Sequence, residues 1–244
     1  MSGYLIDGYH SDRPAAFALP SERVAFIRRT YAHLAGAILA FAGLEALLIS
    51  TGLGLEIMRT LFGGSGGMLM LMVLFIGGGY LAQYWAHSAT SRPMQYAGLG
   101  LYVLLQVVIF LPLLTIAQVY FKDQHLIAKA GLLTMGVFAG LSMAVLITRQ
   151  DYSFLGPILC VACWLALGLI LIAMIFPGSG LALGTWFSFA MVGLAAAFII
   201  YDTSNVLHHY RTDQYVGASL QLFASVALMF YYILRILMNS SRNN

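Results

Sequence analysis

Charge is what this 244-residue sequence is shortest of. Asp, Glu, Lys and Arg make up 9% of it, where average soluble chains carry ~25%. So little charge excludes a water-soluble domain of this length. The net charge is only +3, and the basic residues are scattered, so nucleic-acid binding has no support. Cysteine is nearly absent, with only Cys160 and Cys163. Their CxxC spacing suggests redox or metal chemistry in a soluble fold. Here both fall on one face of an apolar helix, without a second pair or a histidine close in sequence. They read as buried thiols packing as small hydrophobes. There is no strict polar–apolar alternation: residues 165–176 are a continuous apolar run, which excludes a β-barrel and leaves helices as the membrane solution. No P-loop, HExxH, GxSxG or dinucleotide fingerprint occurs, so an enzyme is not expected. No cofactor or metal is expected either. His208 and His209 are adjacent, point apart on a helix, and suit a loop. No internal repeat is visible, so an inverted-repeat transporter is not supported.

Apolar runs fill the chain instead. Hydrophobic residues reach 61% and mean hydropathy is +0.86. A hydrocarbon core of ~30 Å needs ~20 helical residues. Seven stretches satisfy this: 31–51, 67–86, 96–120, 126–148, 154–176, 181–201 and 215–237. The expected fold is therefore an all-α integral membrane protein of seven transmembrane helices, forming one domain over residues 23–244. Residues 1–22 carry Asp7, His10, Asp12 and Arg13, lack a signal-peptide pattern and read as a disordered polar tail. Ser21 is the expected N-cap of a helix that runs along the membrane surface before span one. With the N-terminus inside, the inner loops hold seven basic residues: Arg13, Arg23, Arg28, Arg29, Arg92, Arg149 and Arg211. The outer side holds five: Arg59, Lys122, Lys129, Arg235 and Arg242. This favours a cytoplasmic N-terminus and a C-terminus on the opposite side.

Small residues point to a tight bundle. Gly136 and Gly140 form a small-xxx-small pair, and Gly77–Gly79 thin the second span. Pro112 predicts a kink in the third. The sixth span has two frames. Either it runs over 181–201, or it starts near Trp186 and continues to about His209, which moves Asp202 about two turns inside.

Ionisable residues at membrane depth are costly and raise functional hypotheses. Asp202 and Glu45 qualify. Desolvation penalises a charged carboxylate, so each is a candidate proton-sensitive switch. The plainer reading is a helix-end acid among headgroups. His87, after Trp85, is either an interfacial histidine or a titratable partner of Asp202.

The C-terminal third carries Ile200-Tyr201-Asp202-Thr203-Ser204-Asn205, then Ala218-Ser219-Leu220-Gln221-Leu222-Phe223 and Tyr232-Ile233-Leu234-Arg235-Ile236-Leu237. Before the fifth span stands Thr148-Arg149-Gln150-Asp151-Tyr152-Ser153-Phe154-Leu155-Gly156. From about Arg28 to Leu237 the chain resembles the Bax inhibitor/YccA family of seven-helix membrane proteins. The resemblance implies six helices around a central one, supplied by residues 198–202 or by the seventh span. In one branch, described as a pH-sensitive calcium leak, two aspartates on helices six and seven form a latch that an arginine pairs with. Asp202 matches the first. The second falls on Ser225 and the arginine on His87. A Ser–Asp pair cannot share a proton between two like charges. The YccA branch has serine at the helix-seven position and is the closer resemblance. It implies an inner-membrane protein that interacts with a membrane AAA protease (FtsH) and its associated membrane proteins, the tail serving as a handle. The alternative is a calcium, cation or proton leak gated by Asp202.

Overall fold

The computed structural model describes residues 14–62, 67–88, 91–121, 125–176 and 183–242. The described residues form eight α-helices: α1 Pro20–Ser50, α2 Leu53–Phe62, α3 Gly67–Ala86, α4 Arg92–Tyr120, α5 Leu126–Thr148, α6 Leu155–Ile175, α7 Thr185–His208 and α8 Tyr215–Arg242. Six of them, all but α2 and α3, are long and apolar enough to cross a membrane. The protein is an all-α membrane protein. Helix α3 coincides with the expected span 67–86; some of its side chains lie outside the described residues, and it is not among the six.

The chain divides into two compact units. One comprises the described residues up to Tyr120 together with His209–Phe223, the other those from Phe121 to His208 and from Ala224 onward. The boundary between Phe223 and Ala224 falls inside the unbroken helix α8.

In the first unit the helix start differs from expectation. Pro20 occupies N1 of α1 and Leu19 is the N-cap, so Ser21 lies inside the first turn. Proline suits N1 because its missing N–H is one that the helix leaves unpaired anyway. α1 then runs unbroken to Ser50, without a separate surface helix. Its buried residues Phe26, Thr30, Leu34, Ala37, Phe41 and Glu45 recur every three or four positions and form one stripe. Gly52, at φ 74°, turns the chain into α2, a ten-residue helix where a loop was expected; ten residues are too few to register as a span.

The expected tail covers residues 1–13, outside the described residues, and 14–22, which are folded. Ala15 and Phe17 bound a 3₁₀ turn. The Ala15 N–H donates to the Tyr210 carbonyl at 2.9 Å, beside a Pro14–Arg211 bridge. This single backbone attachment, of which the hydrogen bond is part, orders a segment whose composition suggested disorder.

α3 packs on α4 through glycine. A Cβ on Gly98 would stand 2.5 Å from the Ala82 carbonyl oxygen and from the Ala86 nitrogen. Gly78 presses on Leu105, where a Cβ would meet a methyl at 2.9 Å. Gly136 and Gly140 were expected to do this work, but a Cβ on either meets open space and both are exposed. Pro112 lies within α4, which continues through it.

In the second unit α7 packs against α5 and α6. It takes the later of the two expected frames, from Thr185 to His208. α5 ends on Arg149 in the left-handed conformation, φ 52°. Cys160 and Cys163 are free and exposed, not buried as expected. In a bilayer an apolar face is as well served by lipid as by a core.

Gly98→Ala should therefore lower thermal stability in detergent by roughly 1–3 kcal/mol or more, since backbone atoms cannot yield as side chains do. Gly136→Ala should leave it unchanged or raise it by up to about 1 kcal/mol. Equal melting temperatures for the two variants would contradict the packing described.

Candidate functional site

Asp202 lies a turn and a half before the end of α7, in a stretch of α7 where Ile199, Thr203, Ser204, Val206 and Leu207 are also buried. It is 0% exposed. The Ser225 hydroxyl, on α8, donates to its Oδ2. Ser225 is itself 4% exposed. The structure thus brings together the sixth-span acid and the seventh-span serine. A hydroxyl supplies a proton of its own to the acceptor oxygen. It offers no second carboxylate with which a proton could be shared.

Further hydroxyls consolidate this stretch of helix. Ser142 of α5 and Thr203 of α7 hydrogen-bond at 3.2 Å, both buried. Ser204 accepts from the Tyr152 backbone N–H at 2.9 Å and donates to the Gln150 carbonyl at 3.4 Å. Asp151 accepts from the Ser153 N–H at 2.9 Å, closing a local turn before α6. The loop 149–154 is thereby fastened to α7 two residues beyond the acid. His208 turns its Nδ1 to the Ser204 carbonyl at 3.0 Å; it closes the helix rather than lying in a loop. His209 is exposed.

His87 belongs to the first unit. Its Nδ1 stands 2.8 Å from the Gln83 carbonyl oxygen, and Nε2 2.8 Å from the Tyr210 hydroxyl. A carbonyl only accepts, so Nδ1 carries the proton and, in the neutral ring, Nε2 accepts from Tyr210. The backbone comes close here as well: a Cβ on Gly217 would lie 3.2 Å from the His87 ring. Helix ends and a histidine–tyrosine pair of this kind are ordinary at a membrane boundary.

Glu45 is also in the first unit, at the end of the buried stripe of α1, 3% exposed. Neither carboxylate oxygen has a hydrogen-bond partner among the described residues. One turn earlier Phe41 stacks edge-on against Phe110 and Phe223, with centroids at 5.1 and 6.1 Å. Among the described residues no group of three metal-ligating side chains occurs.

Ser142, Thr203, Ser204 and Tyr210 were not foreseen in these roles. Thr203 and Ser204 stood beside the acid in the motif. Ser142 had the fainter signal of a hydroxyl inside an apolar run, which a membrane helix turns inward.

A helical membrane protein with a buried, hydroxyl-paired acid near the end of one span is the class that this geometry defines. Residues 23–243 match the family described as inhibitor of apoptosis-promoting Bax1, and the chain belongs to that family. It is 28% identical to the Golgi anti-apoptotic protein of Vaccinia virus (strain Lister) over 238 residues, covering 97% of this chain and 94% of that protein. It is 28% identical to Bax inhibitor 1 of Schizosaccharomyces pombe, over 95% of this chain and 83% of that protein. Protein LIFEGUARD 3 of Arabidopsis thaliana is 26% identical, over 92% and 88%. No solved structure matches at a significant level.

Two substitutions separate the acids. Ser225→Ala removes a donor from a buried carboxylate and should cost about 1–3 kcal/mol of stability. Glu45→Leu removes a buried group that has no hydrogen-bond partner among the described residues and should raise the melting temperature in detergent. A Glu45→Leu variant that unfolds more readily than wild type would show that the acid is held by a favourable contact.

Proposed function

We propose that the chain is a non-enzymatic, seven-span protein of the inner (plasma) membrane, with its N-terminus in the cytoplasm and its C-terminus opposite. It acts by binding other membrane proteins, foremost a membrane AAA protease of the FtsH type, whose activity it modulates in membrane protein quality control. The observation that carries this reading is the Asp202–Ser225 pair. A donated hydroxyl proton satisfies the acid, where a proton-gated latch would need two carboxylates competing for one proton. Such a pair fastens α7 to α8 and gives a bundle with a fixed surface for partners. The relative named Bax inhibitor 1 is named for inhibiting another protein, which agrees with action through a partner.

A second reading is a slow leak of calcium, other cations or protons gated by an intramembrane acid. The burial of both Asp202 and Glu45 favours it, because carboxylates at membrane depth mark ion and proton routes.

Reconstitution and pull-down distinguish the two. In liposomes loaded with a calcium dye, the protein should leak no faster than protein-free vesicles between pH 5 and 8, and Asp202→Asn should change nothing. In cells it should co-purify with an AAA protease, and deletion of residues 1–13 should slow its turnover without harming insertion. A leak that Asp202→Asn abolishes, with no protease recovered, would replace the first reading with the second. A C-terminal reporter active only in the cytoplasm would overturn the orientation.

A further inference from the structure

In the first unit α1 and α4 lie side by side, with small residues where they face each other. Gly36, Ala37 and Ala40 on α1 and Gly100 on α4 leave an apolar groove of about 530 Å³ that extends to Leu44. From His33 to Leu44 it runs roughly 16 Å at 1.5 Å per residue, close to half of the ~30 Å hydrocarbon core and so to one leaflet. One end is polar: His33 Nε2 and the Tyr96 hydroxyl, both lining the groove, are 3.1 Å apart.

Beyond that end stand two cations. The His33 ring lies 5.0 Å from the ring of Tyr215. Over the same tyrosine stand the guanidiniums of Arg29, at 5.7 Å, and Arg92, at 4.9 Å. Arg92 also donates to the Asp213 carbonyl at 2.6 Å and to Gln95 Oε1 at 3.2 Å; both acceptors are uncharged. Among the described residues neither guanidinium is ion-paired, and both side chains are exposed. An arginine guanidinium has five donors in a planar fork that suits phosphate oxygens. An apolar trough one leaflet deep, with unbalanced cations at its polar end, matches an acyl chain and a phosphate joined in one molecule. A second copy of this chain fits less well, because a two-fold contact sets the same patch against itself and so cation against cation.

We propose that the α1–α4 groove binds one anionic phospholipid, its acyl chain along Gly36, Ala40 and Gly100 and its phosphate at Arg29 and Arg92. The site would tie the bundle to anionic lipid at the membrane face that carries the two arginines.

The test uses the full chain, exchanged through vesicles of equal phosphatidylglycerol and phosphatidylcholine, re-extracted, and read for retained lipid by native mass spectrometry. Wild type should retain phosphatidylglycerol in preference. The double variant Arg29→Gln/Arg92→Gln should lower the retained ratio roughly 30-fold, taking each juxtamembrane cation at its usual weight. Arg29→Lys/Arg92→Lys should keep most of the preference. Gly36→Leu/Gly100→Leu should lower retention of both lipids, and it should fold, since a Cβ at either glycine meets no protein atom within 4 Å. Equal retention of the two lipids by wild type would overturn the proposal. So would a preference that survives loss of both arginines. Lipid retention untouched by the leucines, while a dimer is lost, would assign the groove to a second copy instead.

Discussion

A hydrocarbon core offers no water to a peptide group or to a side chain, so every polar atom that enters it must bring its partner along. The backbone meets this demand by remaining helical over nearly all of the described chain. Side chains meet it in pairs. Asp202 has the Ser225 hydroxyl, Thr203 has Ser142, and Ser204 holds the backbone of the loop before α6. These three consecutive residues each reach a different element, so one short stretch of α7 fastens α8, α5 and the 149–154 loop. Glu45 is an exception, a buried carboxylate with no hydrogen-bond partner among the described residues, as are the lone buried hydroxyls of Thr30 and Thr115. Its contrast with Asp202 shows that depth alone does not make two acids equivalent; the donor set does.

The same absence of water explains what could be read from the sequence. Spans were legible because hydropathy over ~20 residues is a strong signal, and the ends of α3 and α5 fall where the apolar runs end. α2 was not, because ten residues carry no such signal. Asp202 was legible as an acid in an apolar context. Its place within α7 was open until the helix was seen to continue to His208. Which face of a helix looks inward was poorly legible. Lipid and protein interior are equally apolar, so Cys160, Cys163, Gly136 and Gly140 carried no mark of pointing outward. Gly98, where two backbones nearly touch, looked like any other glycine of the chain.

The supporting hydroxyls were hidden for another reason. Ser142 and Thr203 are 61 residues apart in the chain, and His87 and Tyr210 are 123 apart. Nothing local distinguishes them from the many serines, threonines and tyrosines that serve as helix caps or interfacial anchors. Ser225 was reached only through a resemblance, by its distance of ten residues from Arg235. The tail misled in the opposite direction. Its polar composition is that of an unfolded segment, yet backbone pairing is blind to side-chain polarity, and residues 14 and 15 pair with 210–211 through the backbone.

That last contact has a mechanical consequence. The stretch at Ala15 is pinned to Tyr210, and Tyr210 in turn holds the His87 ring at the end of α3. A pull on the N-terminus, such as an unfolding motor applies, does not first meet a membrane helix. It loads one short backbone bridge, and only after this parts does the force reach α1. The first yield point of the molecule is thus a small latch outside the hydrocarbon, and its release frees the tyrosine that steadies the far end of another helix.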